Sequence, residues 1–149
     1  MIVTGVALAT PVPVLALADG QHEVVVRLDE GEAMTYAYRQ SIYEVTVHEE
    51  FVRAGDALDM RLVRSPDIRS IEYFRWDGTI VQRPDGMWAE AAPPPSTHTE
   101  LVIRITAQGE QRIFSSRWGI VLRELFGESI VTVRPVRRPL AIVLLRGLG

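Results

Sequence analysis

The stretch that decides the fold runs from Tyr36 to Phe51 and reads Y-A-Y-R-Q-S-I-Y-E-V-T-V-H-E-E-F. Between residues 43 and 47 side chains alternate, with Val45 and Val47 on one face and Thr46 on the other. A period of two residues is typical of a strand with one buried face. We therefore predict a strand over residues 42–53, around which the rest of the chain is organised.

Working outward from this strand, turn signals that contain glycine separate further short β-patterned runs. Six such signals lie at residues 19–20, 30–31, 54–55, 77–78, 85–86 and 108–109, and they suit tight turns between strands. The runs between them span residues 23–28, 33–39, 57–64, 80–83, 100–107 and 111–114. No helix alternates with these runs, so we predict an all-β fold, either an antiparallel β-sandwich or a partly open β-barrel.

At 149 residues the chain has the size of one domain. Residues 1–18 are apolar and uncharged and end in Ala16-Leu17-Ala18, which resembles a signal-peptide cleavage site, but no basic n-region precedes them. We interpret residues 1–10 as an apolar leader or its remnant. Residues 11–149 then form a single all-β domain whose first strand, over 12–18, is buried on both faces.

Near the C-terminus the pattern changes from period two to a helical stripe. Residues 116–126 predict one short helix, with Ser116 as the N-cap and Gly127 as the C-cap. Residues 130–133 and 140–145 predict closing strands. Residues 91–96 contain three consecutive prolines and predict a stiff connector.

Composition excludes several classes of function. The chain has a net charge of −3, which argues against an extended nucleic-acid interface. It contains no Cys, Lys or Asn, so that all 16 basic residues are Arg. Without Lys or Cys there is no Schiff base, no P-loop lysine, no thiolate nucleophile and no cysteine zinc site. We expect no cofactor.

A serine–histidine catalytic pair within the central strand is excluded by its length. Ser41 and His48 point to opposite faces of the predicted strand and stand roughly 20 Å apart at about 3.3 Å per residue, whereas such catalysis needs hydrogen-bond contact. Ser41 also lacks the Gly-x-Ser-x-Gly setting of a nucleophile elbow. No complete catalytic constellation is visible, so we expect that the protein is not an enzyme.

Two weaker patterns give alternative sites. His48 and Glu50 share a strand face, and together with His98 they would supply ligands for zinc or iron in a metal-assisted hydrolase. An exposed polar strand face is the simpler interpretation of that pair. The aromatic segment at residues 71–76 would line the cavity of a small-ligand carrier, and its candidate ligand-binding residues are Arg69, Tyr73, Arg75 and Trp76.

Glu49 falls on the apolar face of the central strand, between Val47 and Phe51. A carboxylate that faces a core needs a partner, because an isolated buried charge costs several kcal/mol. We predict that Glu49 meets an Arg or the hydroxyls of Ser41 and Tyr38, or that a β-bulge turns it outward. A structural tether is favoured over a ligand-binding carboxylate.

The same stretch resembles the bacterial and archaeal family called domain of unknown function 1850, in which Tyr-x-His-Ser-Val is followed by Val-x-Glu. The matching residues are Tyr38, Ser41, Val47 and Glu49, with Ile42 conservative and Gln40 in place of the family's histidine. A Gly-Ala-Gly segment that is usual in the family has no match here. The chain therefore resembles a divergent member, and a neutral amide at position 40 cannot exchange a proton near neutral pH.

The resemblance implies a small, mainly β protein that is extracytoplasmic or associated with the cytoplasmic membrane. Such proteins are often encoded beside transporters of the TRAP type that use a TAXI-type solute receptor. The partners implied are the membrane subunit of the transporter or its solute-binding protein, with peripheral membrane association. Our leading hypothesis is a noncatalytic accessory or binding module of such a transporter.

Overall fold

The computed structural model describes residues 9–146, and these form two antiparallel sheets that pack face to face. The first sheet has the strand order β2-β1-β12-β9, with β1 (Pro11–Ala18), β2 (Glu23–Arg27), β9 (Leu101–Arg104) and β12 (Ile130–Pro139). The second has the order β11-β10-β3-β4-β5-β7-β6, with β8 paired to β5. Its strands are β3 (Ala33–Arg39), β4 (Thr46–Ala54), β5 (Ala57–Ser65), β6 (Val81–Gln82), β7 (Trp88–Ala91), β8 (Thr97–His98), β10 (Arg112–Phe114) and β11 (Gly119–Val121).

This arrangement confirms the predicted all-β sandwich. The predicted strand over residues 12–18 is also confirmed as β1, and it is buried on both faces. Leu15 and Leu17 lie in the main core between the sheets, while Val14 and Ala16 lie in a second apolar cluster. Residues 1–8 of the predicted leader lie outside the described residues.

The central strand was predicted to start too early. β4 begins at Thr46, because residues 40–45 form the turn that joins it to β3. The Gln40 amide donates to the Val45 carbonyl at 2.9 Å, and the Glu44 amide donates to the Gln40 carbonyl at 2.8 Å. Glu44 has φ = 55°, a left-handed conformation that a non-glycine residue rarely adopts and that ends the alternation.

Two predictions of local structure near the C-terminus were wrong. Before them, a short helix that was not predicted, α1 (Ile68–Glu72), begins where Asp67 accepts from the Arg69 amide, and the aromatic residues 73–76 follow it. The predicted helix over 116–126 is shorter: β11 occupies its first half, α2 (Leu122–Phe126) begins after Val121, and Ser116 is not its N-cap. Gly127 is confirmed as the C-cap.

The predicted closing strand over residues 140–145 is a third helix, α3 (Leu140–Arg146). Val143 of this helix packs against the second apolar cluster on the outer side of the first sheet. Within residues 9–146, no helix is long and apolar enough to cross a bilayer. The other predicted closing strand, over residues 130–133, is longer than expected. It extends to Pro139 because β12 pairs with the whole length of β1, from Thr132 opposite Ala18 to Pro139 opposite Pro11.

One buried side chain connects the two sheets. Arg53 projects from β4 in the second sheet and is only 2% exposed. Its guanidinium donates to the Val14 carbonyl at 2.6 Å, the Val136 carbonyl at 3.0 Å and the Leu28 carbonyl at 3.3 Å. Val14 and Val136 are direct neighbours on β1 and β12, so one cation holds adjacent strands of the first sheet against the second.

We expect Arg53→Met to lower the free energy of unfolding by about 3 kcal/mol, because buried carbonyls lose charge-assisted donors. Arg53→Lys should also destabilise, since one ammonium does not reproduce the planar fork of a guanidinium. Urea denaturation provides the measurement. The matched control is Arg61→Met on the neighbouring strand β5, where the exposed side chain makes only a 3.6 Å ion pair with Asp59, and equal losses at both positions would contradict the bridging role.

Candidate functional site

A cavity of about 950 Å³ opens beside the turn between β3 and β4. One wall is formed by residues 38–42 and Glu44, which belong to the end of β3 and to that turn. The opposite wall is the loop of residues 106–111, between β9 and β10. Tyr73, directly after α1, completes the lining. The residues through which the chain resembles the family therefore line this cavity at positions 38, 40, 41 and 42.

The loop wall is fixed by the side chain of Gln111, which is 7% exposed. Its Nε2 donates to the Arg104 carbonyl at 3.1 Å, and its Oε1 accepts from the Thr106 amide at 3.3 Å. A Cβ on Gly109 would lie 1.9 Å from Gln111 Nε2, so only glycine permits this close approach. The Arg39 amide donates to the Gly109 carbonyl at 2.7 Å and thereby joins the two walls.

Gln40 is buried in the opposite wall to nearly the same extent, with 8% exposure. Its Oε1 accepts no hydrogen bond from any residue in the described range 9–146; we refer to this atom as the open acceptor. A buried polar atom without a partner costs about 1–3 kcal/mol, and such atoms are rare in folded proteins. The open acceptor is buried within the wall and is not exposed to the cavity, so it is a local cost to folding.

The rim of the cavity is acidic on balance. The Arg39 guanidinium lies between two carboxylates, 3.8 Å from Glu44 and 3.6 Å from Glu110. Both distances exceed that of a hydrogen bond, and both glutamate side chains are mostly exposed. Two carboxylates and one guanidinium leave a negative charge at the mouth, together with spare hydrogen-bond acceptors.

Glu49 lies beneath the cavity, and its partner is one of those that the alternation predicted. It faces inward opposite Tyr36, and the Tyr38 hydroxyl donates a hydrogen bond to its carboxylate. Burial raises the pKa of Glu49, although the Tyr38 hydrogen bond opposes this shift. Burial and the nearby Glu49 carboxylate raise the pKa of both tyrosines, whose rings stack with centroids 5.1 Å apart. The group is a buried polar tether under the cavity wall.

The structure does not bring the predicted metal ligands together. His48 lies on the outer face of the second sheet, where burial and the neighbouring Arg64 lower its pKa. The Glu50 carboxylate on that face forms an ion pair with Arg64, with 2.5 Å between Glu50 Oε1 and Arg64 Nε. His98 packs its ring edge-to-face against Phe51, on the inner side of the sheet. Over the described part of the chain, no three His, Asp or Glu side chains are arranged to hold a metal ion.

Ser41 lies in the cavity wall without a histidine near it. All three histidines of the chain fall in the described range, and the cavity lining contains none of them. His22 instead contacts Asp19 in the turn between β1 and β2. The cavity therefore offers Ser41 no histidine as a general base.

Of the four aromatic-segment candidates, only Tyr73 reaches the cavity, and it is 56% exposed. Arg69 pairs with Asp67, which raises the pKa of the guanidinium, and it lies 4.9 Å from the centre of the Tyr43 ring. Trp76 packs against Phe74 in a third apolar cluster, and Arg75 is exposed.

The sequence alone did not identify Arg39, Glu44, Gly109, Glu110 or Gln111 as site residues. The turn signal at residues 108–109 was recognised, but nothing in it indicates that this loop meets the start of the β3–β4 turn. Comparison with known proteins gives no further guidance, since no family model, curated protein or solved structure matches the chain.

Gln40 and Gln111 form a matched pair for a stability test, because both are buried and only Gln111 is satisfied. We expect Gln40→Met to raise the free energy of unfolding by about 1 kcal/mol, since it removes the open acceptor and retains apolar packing. Gln111→Met should lower that free energy by about 1–2 kcal/mol through the loss of two hydrogen bonds. Urea denaturation of both variants decides the point, and a loss of stability in Gln40→Met would show that its oxygen is satisfied in solution.

Glu49 should make stability depend on pH in a defined direction. Because its pKa in the folded protein lies above the ordinary 4.5, this carboxyl contributes stability that is present below pH 4.5 and is lost as the pH rises through the raised pKa. Glu49→Gln mimics the protonated form, so its stability relative to wild type should increase over that interval. Denaturation curves at a series of pH values test this, with the exposed Glu72→Gln as control. Parallel wild-type and Glu49→Gln profiles would contradict the shift.

Proposed function

We propose that this protein is a noncatalytic binding module and that the cavity beside the β3–β4 turn is its binding site. The observation that carries the proposal is that a cavity of about 950 Å³ opens beside the β3–β4 turn, with Tyr38, Gln40 and Ser41 together along one wall. The absence of histidine from the lining, in the range 9–146, argues against hydrolysis by Ser41.

We further propose that the chain is a divergent member of the family that it resembles and that it serves a TRAP transporter with a TAXI-type receptor at the outer face of the cytoplasmic membrane. Support comes from the position of the motif. Tyr38, Gln40, Ser41 and Ile42 line the cavity, and Glu49 is the buried partner of Tyr38. The residues of the resemblance thus form one spatial unit, as residues with a shared role would.

The mouth of the cavity is suited to contact with a protein partner. Ile42 and Tyr73 both line the cavity and remain 58% and 56% exposed. Large apolar side chains and tyrosine at a surface are enriched where proteins associate. We propose that the transporter's membrane subunit or solute-binding protein covers this mouth. The metal-assisted hydrolase is the weaker candidate, because His48 and His98 lie on opposite faces of their sheet.

Affinity capture from native membranes tests this assignment. The tagged protein should recover a component of the transporter, and Ile42→Glu at the mouth should reduce that recovery at least about tenfold, since it places a charge in an apolar contact. Val102→Glu is the matched control, because Val102 is an equally exposed aliphatic residue on β9. Recovery of no transporter component, with the protein in the cytoplasmic fraction, would overturn the transporter assignment.

A further inference from the structure

The C-terminal helix α3 is apolar on every side but is packed against the fold on one side. All of its described side chains, from Leu140 to Leu145, are apolar, and none of them is fully buried. Val143 packs against the second apolar cluster on the outer side of the first sheet, whereas Leu144 is 69% exposed and Leu145 is 84% exposed. A helix that is hydrophobic all round is normally buried, so two adjacent leucines exposed to this extent mark a docking surface.

We propose that α3 docks on the surface of an anionic lipid bilayer, with Leu144 and Leu145 inserted below the headgroups and arginines beside them. The seven residues of α3 form a helix about 10 Å long, against about 30 Å for the hydrocarbon core of a bilayer. The helix therefore lies in the interface. This inference goes beyond the binding function proposed above, because no residue of α3 lines the cavity.

The distribution of charge along the chain favours an anionic surface as the partner. Residues 1–18 contain no charged residue, and residues 129–149 contain four arginines and no acidic residue. The segment between them carries the other 12 of the 16 arginines and all 19 acidic residues. The paired strands β1 and β12, together with α3, are thus the positive part of a chain whose net charge is −3. Anionic headgroups attract this part, whereas a second copy of the chain brings the same charge and is repelled.

Two of these arginines lie directly before α3. Arg138 is opposite Val12 on the outer face of the first sheet, and Val12 packs against the same apolar cluster as Val143 of α3. The Arg138 side chain is 35% exposed and lies 3.4 Å from Glu23, and its neighbour Arg137 is exposed. Long arginine side chains beside an inserted apolar surface extend to the lipid phosphates.

The N-terminal segment is attached at the same place. The Leu140 amide at the start of α3 donates to the Thr10 carbonyl at 3.1 Å. The residues that precede Ala9 read M-I-V-T-G-V-A-L, which is uncharged and largely apolar. Both apolar ends of the chain are therefore joined to the fold beside the exposed leucines, and a bilayer accommodates such segments without a shaped groove.

Co-sedimentation of the full chain with vesicles tests the proposal, using phosphatidylcholine alone or with about 30% phosphatidylglycerol. We expect binding to the anionic vesicles to be at least about tenfold tighter than to the neutral ones, and added salt should weaken it. Leu144→Glu combined with Leu145→Glu should weaken binding at least about tenfold, and these exposed positions leave folding unchanged. Val102→Glu, at an exposed aliphatic residue on the edge strand β9, is the control and should bind as wild type does.

A second pair of variants tests the arginines. Arg137→Gln combined with Arg138→Gln should weaken binding to the anionic vesicles at least about tenfold and leave binding to the neutral vesicles unchanged. Arg75→Gln combined with Arg83→Gln makes the same change in net charge at two exposed arginines after α1. This control should retain the affinity of the wild type.

Insertion of the leucines is measured by a fluorescent probe. The chain contains no cysteine, so one introduced cysteine carries an environment-sensitive fluorophore at a defined place. Labelled Leu145→Cys should shift its emission to shorter wavelength on anionic vesicles, because the probe leaves water, and labelled Val102→Cys should not.

The outcomes distinguish a bilayer from other partners. Equal binding to both kinds of vesicle, or unchanged binding in the double leucine variant, would overturn the proposal. A wild-type dimer that becomes a monomer in the double leucine variant by light scattering, with no vesicle binding by either, would assign the surface to a second copy instead. These measurements use purified protein and lipid, so their results are independent of the transporter capture and of the cavity.

Discussion

The rest of the structure depends on the way in which Arg53 joins the two sheets. Sandwich cores are normally apolar, yet here a guanidinium crosses from β4 to the carbonyls of Val14 and Val136 in the first sheet and of Leu28 directly after β2. Burial lowers the pKa of this guanidinium, so the carbonyl acceptors that surround it must compensate for lost hydration. Because carbonyl acceptors have fixed positions in a sheet, this contact also sets how β4 lies against the first sheet.

The inward face of β4 shows how anchoring and binding are divided along one strand. Arg53 lies at one end with Phe51 beside it in the main core, and Val47 lies at the other end in the third apolar cluster. Glu49 sits between the two clusters, bonded to Tyr38. Each polar residue on this face therefore has a partner on another strand. The strand is held firmly where it meets the first sheet, and its partner β3 carries the cavity wall beyond the tyrosine pair.

Alternation predicted the central strand, since the buried residues Val47, Phe51 and Arg53 all lie on one face of β4. The alternation of apolar and polar residues failed as a guide where the backbone turns or becomes helical without a change in that pattern. The alternation of Tyr43, Val45 and Val47 runs through the turn, although Glu44 turns the chain at φ = 55°. The apolar run at residues 140–145 suits a strand and a helix equally well by pattern, and its helical form depends on packing against the first sheet.

The sequence identified residues of one wall of the candidate site but not those of the opposite wall, and this difference has a physical basis. The β3–β4 turn is local, so its motif residues could be identified together. The loop that faces it comes from much later in the chain, and it is joined through the bond from the Arg39 amide to the Gly109 carbonyl. No local pattern encodes that contact.

The contrast between Gln40 and Gln111 shows how differently the two walls of the cavity use the same type of side chain. The two side chains are of the same type, and their exposures differ by one percentage point, at 8% and 7%. Gln111 uses both ends of its amide to fix the loop, whereas Gln40 leaves its oxygen without a donor among residues 9–146. An unpaired buried amide oxygen is a cost to folding. A methionine would fill the same space without that cost, so the wall that Gln40 forms is held less strongly than the wall that Gln111 fixes.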